Sequence, residues 1–474
     1  MSQELTAAEL DALMAVFPDV KDARRLLRVA GFPNALVPAD SGTVGAFWFS
    51  VFEALRSGAV VDGRIRLLTA ARDLHPANPA FAASRTRVTD RARDTDQDDA
   101  PPDLRDAELV VHLFAPADGP RAEAAYAHLL SVWERCRDHL GMRHPAPGLR
   151  LATRPPAALG RATGDLAAVD GGGEGVYQAL LRRDHDLVRL SAVLAPAAGA
   201  GAFDWTPLDA LWSRAVGPLS TDLVGAVRIY QGHVRRRADD GQVTVSEALA
   251  RGCRHALPPS EGGRPGWEER GVTTGSGFGV WELGEGDDLR IERQIVVLAA
   301  AERDHALSAY TWTRTDQSLP YLVGYLANAA KVRYQYRVWS DAPSVAALRE
   351  RAATDVTELR RRLMSPRADV ASGADPAEAV LTDRLLVHLD LLVAARADRD
   401  DMRESVEIAV SNIREMLRED RSPEDGPGLF AEDLRLATYL TEQLGRDRFF
   451  LTTAVDRVKS TLRTARRLGG TTDA

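Results

Sequence analysis

The sequence predicts a multi-domain protein: an all-α bundle at the N-terminus, an α+β domain in the middle and a bundle of long helices at the C-terminus. Three observations lead there. Apolar residues recur at three- and four-residue steps through residues 1–83 and again from 345 onward, the period of an amphipathic helix. Between 107 and 344, short β-forming runs alternate with helical ones. A chain of 474 residues is also too long for one ordinary core. Its apolar fraction of 45% and charged fraction of 27% are those of a globular protein.

The N-terminal bundle is organised around residues 44–81. Val44, Phe47, Trp48, Val51, Phe52 and Leu55 share one helix face, with Asp40 or Ser41 as cap and Gly58 as stop. A further helix after Asp62 carries Ile65, Leu67, Leu68, Ala71 and Leu74 and ends before Pro76. Upstream, Thr6 and Glu9 form a capping box ahead of Leu10, Leu13, Met14 and Phe17. Asp19 caps a helix bearing Ala23, Leu26, Leu27 and Ala30. At least four helices can therefore bury their apolar faces on one another. Arg24, Arg25 and Arg28 fall on or near the polar side of the second helix. Solvated surface is the ordinary fate of such residues; one side of a charge-complementary contact is the sharper reading.

Residues 84–106 lose all periodicity. They hold charges of both signs, the pair Pro101–Pro102 and few large apolar side chains, the composition of a flexible linker. Beyond them, strands are expected at 107–114, 149–152, 187–194 and 223–230, with helices at 121–140 and 207–216. That order, β-α-β-β-α-β, is the ferredoxin-like split unit. An irregular loop over 232–275 precedes two more strands, 278–283 and 290–298, and Pro320 opens a helix. From 345 to 474 the pattern is helical: 345–364, 377–399, 402–417 and, after the break RSPEDGPG, 429–468.

Composition excludes several classes. The net charge is −8 and the cluster Arg235-Arg236-Arg237 is followed at once by Asp239 and Asp240, a poor footprint for nucleic acid. No apolar run reaches the roughly 18–20 residues of a spanning helix. Two cysteines, Cys136 and Cys253, form neither a disulfide framework nor a zinc motif, which fits a reducing cytoplasm. MSQELTAAEL has no signal-peptide pattern.

The strings that could carry chemistry each have a plainer explanation. Arg183-Asp184-His185-Asp186 offers an imidazole between carboxylates, suited to acid–base work or a metal, but polar residues are expected in a loop before a strand. Cys253 and His255 are close in sequence, but a thiol nucleophile needs a base placed by a different element. Gly275, Gly277 and Gly279 give G-x-G-x-G without the Lys-Ser/Thr and helix of a phosphate cradle, so turn glycines are expected. His112 and His128 sit singly on apolar elements. Trp312, Tyr321, Tyr325, Tyr334, Tyr336 and Trp339 could stack a ligand, but an aromatic stripe at helical spacing is more often core. No catalytic, cofactor-binding or metal-binding residue is assigned.

Two stretches resemble known families. LTAAELDALMAVFPD, LLRVAGF, FWFSVFEALRSG and LLTAARDLHPANPAF make residues 1–83 similar to the effector-associated domain of the first, death-like type in bacterial conflict systems. The resemblance implies a small helical adaptor that joins proteins through like-with-like contacts. LVVHLFAP, YQALLRRDHDLVRLSAVLA, WTPLDALW and PYLVGYLANAAKVRYQYRV make residues 107–344 similar to the caspase- and TPR-repeat-associated (CATRA) domain. This implies a component encoded with caspase-like peptidases. The expected function is a non-enzymatic cytoplasmic adaptor of a conflict system. Its expected partners are effector-associated-domain proteins such as caspase-like peptidases or NTPases, with a homo-oligomer allowed. An enzyme using Asp184-His185-Asp186 or Cys253, and a small-molecule-sensing regulator, are the rival readings.

Overall fold

A computed structural model describes residues 7–17, 19–30, 32, 47–48, 51–52, 55, 63–74, 103–197, 202–235, 241–259, 266–284, 288–312, 319–365, 376–426 and 428–469. The chain divides into two compact units, one of Met1–Ala330 with Glu415–Glu432, the other of Lys331–Arg414 with Asp433–Ala474.

In the N-terminal domain α1 (Ala7–Val16), α2 (Val20–Val29) and α3 (Gly63–Leu74) are helical. Leu13, Leu26, Leu27, Phe47, Trp48, Val51, Leu55 and Leu67 are fully buried together, as their spacing predicts. Trp48 Nε1 donates to the Phe17 carbonyl at 3.3 Å, and the Trp48 ring meets Phe47 edge-on at 5.8 Å. Arg64 grips Glu9, itself buried, through Nε at 3.0 Å and Nη2 at 2.5 Å, tying α3 to α1. The helix expected over 44–57 lies mostly outside the described residues, as does 84–102 of the expected linker.

The middle of the chain builds one nine-stranded sheet in the order β2-β3-β4-β5-β1-β6-β9-β8-β7. Its strands are β1 (Leu104–Pro116), β2 (His144–Pro145), β3 (Gly164–Asp170), β4 (Val176–Asp184), β5 (Leu187–Ala195), β6 (Gly225–Val234), β7 (Val272–Thr273), β8 (Gly279–Glu282) and β9 (Glu292–Ala300). β1 runs antiparallel between β5 and β6, and β9 joins β6 in parallel. β1 begins within the segment expected to be linker, because a bulge at Arg105/Glu108 lets it restart its pairing with β6.

Several elements differ from expectation. Residues 149–152 form no strand: Leu149 is 45% exposed and prolines crowd the segment. The partner of β5 is instead β4, joined to it by the turn His185–Asp186. Its run of Arg182, Arg183 and Asp184 masks the strand pattern. The 232–275 loop contains helix α6 (Glu247–Arg254), capped by Ser246 Oγ accepting from Leu249 N at 3.2 Å.

One sheet face is covered by α4 (Ala122–His139) and α5 (Thr206–Val216). Leu109, Val111 and Leu113 of β1 meet Leu129, Trp133, Trp205 and Trp212 there, all within one core. The opposite face carries His112, Arg189, Ser191 and Gln231, and α7 (Asp304–Thr311) closes over it through Thr311. Every residue of β5 and β6 is therefore buried.

The helix α8 is Tyr321–Asp341 and α9 is Val345–Met364. The two helices expected at 377–399 and 402–417 are one continuous helix, α10 (Pro376–Asp420), since Asp400 and Asp401 break no backbone hydrogen bond. The last, α11, is Leu429–Gly469. In the second unit Leu348, Val356 and Leu359 of α9 interlock with Leu385 and Leu392 of α10 and with Leu451, Val455 and Val458 of α11.

The turn between α10 and α11 belongs to the sheet-bearing unit. The Asp420 carboxylate, 8% exposed, accepts the hydroxyls of Ser276, Ser422 (2.5 Å) and Tyr310 (3.4 Å). Gly275 N donates to Ser422 Oγ at 3.2 Å, and a Cβ on Gly275 would lie 1.7 Å from the Asp420 carbonyl oxygen, so no other residue fits. Of the three expected turn glycines, Gly275 lies in the turn and also takes part in this docking, whereas Gly279 is the first residue of β8. Gly277, at φ +82°, completes the tip of the β7–β8 hairpin.

Two outcomes follow. Trp48→Ala should cost about 3–5 kcal/mol of N-terminal-domain stability, as large aromatic truncations do, checked by denaturant melts of residues 1–82. Asp420→Ala leaves three hydroxyls, those of Ser422 and Tyr310 buried, short of an acceptor and should cost about 1–3 kcal/mol, with hydrogen exchange rising first in 270–278 and 415–432.

Candidate functional site: the helix α2 face and the buried polar network of the sheet

Arg24 is half-buried and Arg25 exposed on α2, and Arg28 belongs to the same helix with its side chain outside the described residues. Arg24 and Arg28 are one turn apart. Another side of the helix supplies Ala23, Leu26 and Leu27 to the core.

The string Arg183-Asp184-His185-Asp186 forms the end of the β4–β5 hairpin. His185 is an exposed turn residue with φ +52°. The Asp184 carboxylate is held by Arg182 Nε at 2.6 Å and lies 3.5 Å from Arg189 Nε. Arg183 turns the other way, to Asp118 at 3.0 Å and the Gly160 carbonyl at 2.5 Å. The structure thus does not bring the imidazole and the Asp184 carboxylate together. Cys253 lies in the core of the sheet unit beside Leu249 and Ala250, and burial pushes its thiol well up. Cys136 is likewise buried, its thiol pushed up to about 12. Neither is poised as a thiolate.

The aromatic residues expected on the Pro320 helix are packing groups. Tyr325 meets Phe430 edge-on at 4.9 Å. Tyr336 stacks on Trp339 at 5.8 Å and meets Tyr439 at 6.4 Å. Among the described residues no group of three or more His, Cys, Asp or Glu side chains could hold a metal ion, and no helix is long and apolar enough to cross a membrane.

What sequence reasoning missed is a chain of buried polar groups across β5, β1 and α7. His112 Nε2 lies 2.9 Å from the Thr311 carbonyl, which can only accept, so that nitrogen carries the proton. Nδ1 therefore accepts from Ser191 Oγ at 2.7 Å, and Ser191 accepts in turn from Arg189 Nη1 at 2.8 Å. Thr311 Oγ1 donates to Gln231 Oε1 at 2.6 Å, and Gln231 Nε2 donates to Glu108 Oε2 at 2.5 Å. Burial raises the Glu108 carboxyl and, with the Arg189 charge, lowers the His112 imidazole to about 3. A hydroxyl on an imidazole looks like a nucleophile and its base. Here Ser191 is 1% and His112 0% exposed, and so weak a base fits a tie between strand and helix. The signal was present in the sequence: polar residues at alternate positions of otherwise apolar strands.

Small N-terminal helices, a mixed sheet and long paired helices define a multi-domain chain. Three family models match it in order: Effector-associated domain 1 at residues 3–89, the CASPASE and TPR Repeat-Associated N-terminal domain at 108–315, and the corresponding C-terminal domain at 320–458. The chain thus carries an effector-associated domain 1 followed by both CATRA domains. The CATRA resemblance expected to end at 344 thus runs on through the long helices. No curated protein and no solved structure matches the chain.

The His112 network makes a pH prediction. Its folded value of about 3 lies below its ordinary 6.5, so the unfolded chain binds the extra proton between those values. Stability is full above 6.5 and falls by about 1.4 kcal/mol per pH unit as pH drops toward 3. Replacing His112 by Gln should flatten that slope in pH-dependent melts of the whole chain.

Proposed function

We propose that this chain is a non-enzymatic cytoplasmic adaptor of a bacterial conflict system, recruiting effectors through its N-terminal domain. The observation that carries the reading is the domain order: an effector-associated domain 1 placed ahead of a CATRA pair. Partners would be other effector-associated-domain proteins, such as caspase-like peptidases or NTPases, met through like-with-like contacts of death-like bundles. Arg24, Arg25 and Arg28 supply one charged side of that contact.

The remainder of the chain supports the same reading. His185 sits in a turn, His112 in a buried tie, and Cys136 and Cys253 in one apolar core. The centre of the sheet, with order β4-β5-β1-β6 and α4 and α5 as crossovers, fits a ferredoxin-like unit extended at both edges. Residues 84–102, charged and Pro-bearing, are suited to tether the N-terminal domain, so weak contacts act at effective concentrations up to about the millimolar range.

Deleting residues 1–82 should abolish capture of an effector-associated-domain peptidase while leaving the rest of the chain folded. Reversing Arg24 and Arg28 to Glu should weaken capture and reduce its salt sensitivity. Pull-downs of full-length, truncated and charge-reversed chains at two salt concentrations check this. Undiminished capture by the truncated chain would overturn the proposal.

A further inference from the structure

Helix α10 has two apolar seams, and among the described residues only one enters a core. Leu381, Leu385 and Leu392 enter the core of the second unit. On another side of the same helix, Val380 is 57%, Val387 58% and Leu391 48% exposed. Scattered exposed aliphatics are ordinary. These three, however, are separated by seven and four residues, the repeat of a coiled-coil seam, and so fall on one line along the helix. Ala394 continues that line without bulk.

We propose that this seam packs against the same seam of a second copy of the chain, antiparallel and about a two-fold axis. The charges on the seam choose the occupant and its direction. Arg384 lies toward one end, while Asp398 is in line at the other end and Asp390 beside it. A parallel pair would stack Arg384 on Arg384 and Asp398 on Asp398. The antiparallel two-fold pair sets each Arg384 within a turn of the partner's Asp390 and Asp398. One Arg384 nitrogen is already committed to the buried Asp355 at 2.5 Å, but the side chain remains 58% exposed. In this register Val387 meets the partner's Leu391, and Val380 meets the partner's Asp398.

A seam this short would not hold two free peptides together. Here the helix is already ordered by its other face, so pairing spends no helix-forming entropy. The inference stands apart from the adaptor reading. If that reading also holds, a dimer presents two tethered N-terminal domains and gains avidity.

The test is the mass of the full chain by sedimentation over a concentration series. The unaltered chain should associate to a dimer. Val387→Glu with Leu391→Glu should weaken association by at least about tenfold while circular dichroism and melting stay unchanged. A chain monomeric throughout, or a double variant that still dimerises, overturns the proposal. Direction is read by oxidative cross-linking, since Cys136 and Cys253 are both buried. Val380→Cys combined with Asp398→Cys should give a covalent dimer, and Asp398→Cys alone should not. A dimer cross-linked by Asp398→Cys alone would mean parallel pairing and overturn the antiparallel assignment.

Discussion

The carboxylate of Asp420 is the constraint on which the CATRA part of the chain depends. It gathers hydroxyls from the β7–β8 hairpin tip, from α7 and from the turn after α10. Arg303 completes the arrangement, donating to the Ser276 carbonyl at 2.6 Å and lying 5.1 Å over the Phe278 ring. Beside it, Arg270 pairs with Glu432 at 2.9 Å and Tyr325 donates to the Leu429 carbonyl at 3.1 Å. The division between the two CATRA families, at 315 to 320, is therefore not a division of the fold. A chain cut there would lose residues 415–432, which satisfy polar groups of the sheet unit.

A sheet buried on both faces sets a second demand. Central strands read as nearly continuous apolar runs, and any polar side chain among them must find its partner inside. Arg293 answers with a two-point grip on Glu282, both under 5% exposed. Arg228 bridges Glu292 at 2.8 Å and Asp209 at 2.6 Å. Buried pairs of this kind add little net stability over apolar packing, and breaking one is costly. Their effect is on register: each joins specific positions on neighbouring strands or on strand and helix, so a slipped strand would leave a charge unpaired.

How far the sequence could be read follows from which signals are local. The N-terminal core was legible down to Phe47, Trp48 and Leu67, because helix periodicity needs only one turn of context. Strands β1, β5 and β6 were legible as apolar runs. β4 was not, because its arginines serve partners in the loops, and β3 was hidden by its alanines, which have weak strand preference. The gap expected in α10 falls at Asp400 and Asp401, acidic residues that solvate a helix without ending it. The Asp420 docking could not be read at all. Gly275 and Asp420 are 145 positions apart, and nothing local to either announces the other. What a face bearing Arg24, Arg25 and Arg28 would bind is a property of two molecules, which no single sequence states.

The same distinction bears on how the parts would work together. The N-terminal domain is small, and its core is built by a few helices whose largest contributions are Trp48, Phe47 and the leucines around them. A domain of that size offers a partner only a modest face, so a single contact is weak. Weak contacts become decisive when they are repeated or held close. A tether supplies closeness without fixing orientation, and the exposed Val380–Leu391 seam supplies repetition if it pairs. Helix α10 is already ordered by the face it packs against α9 and α11, so whatever meets its exposed seam meets a preformed helix.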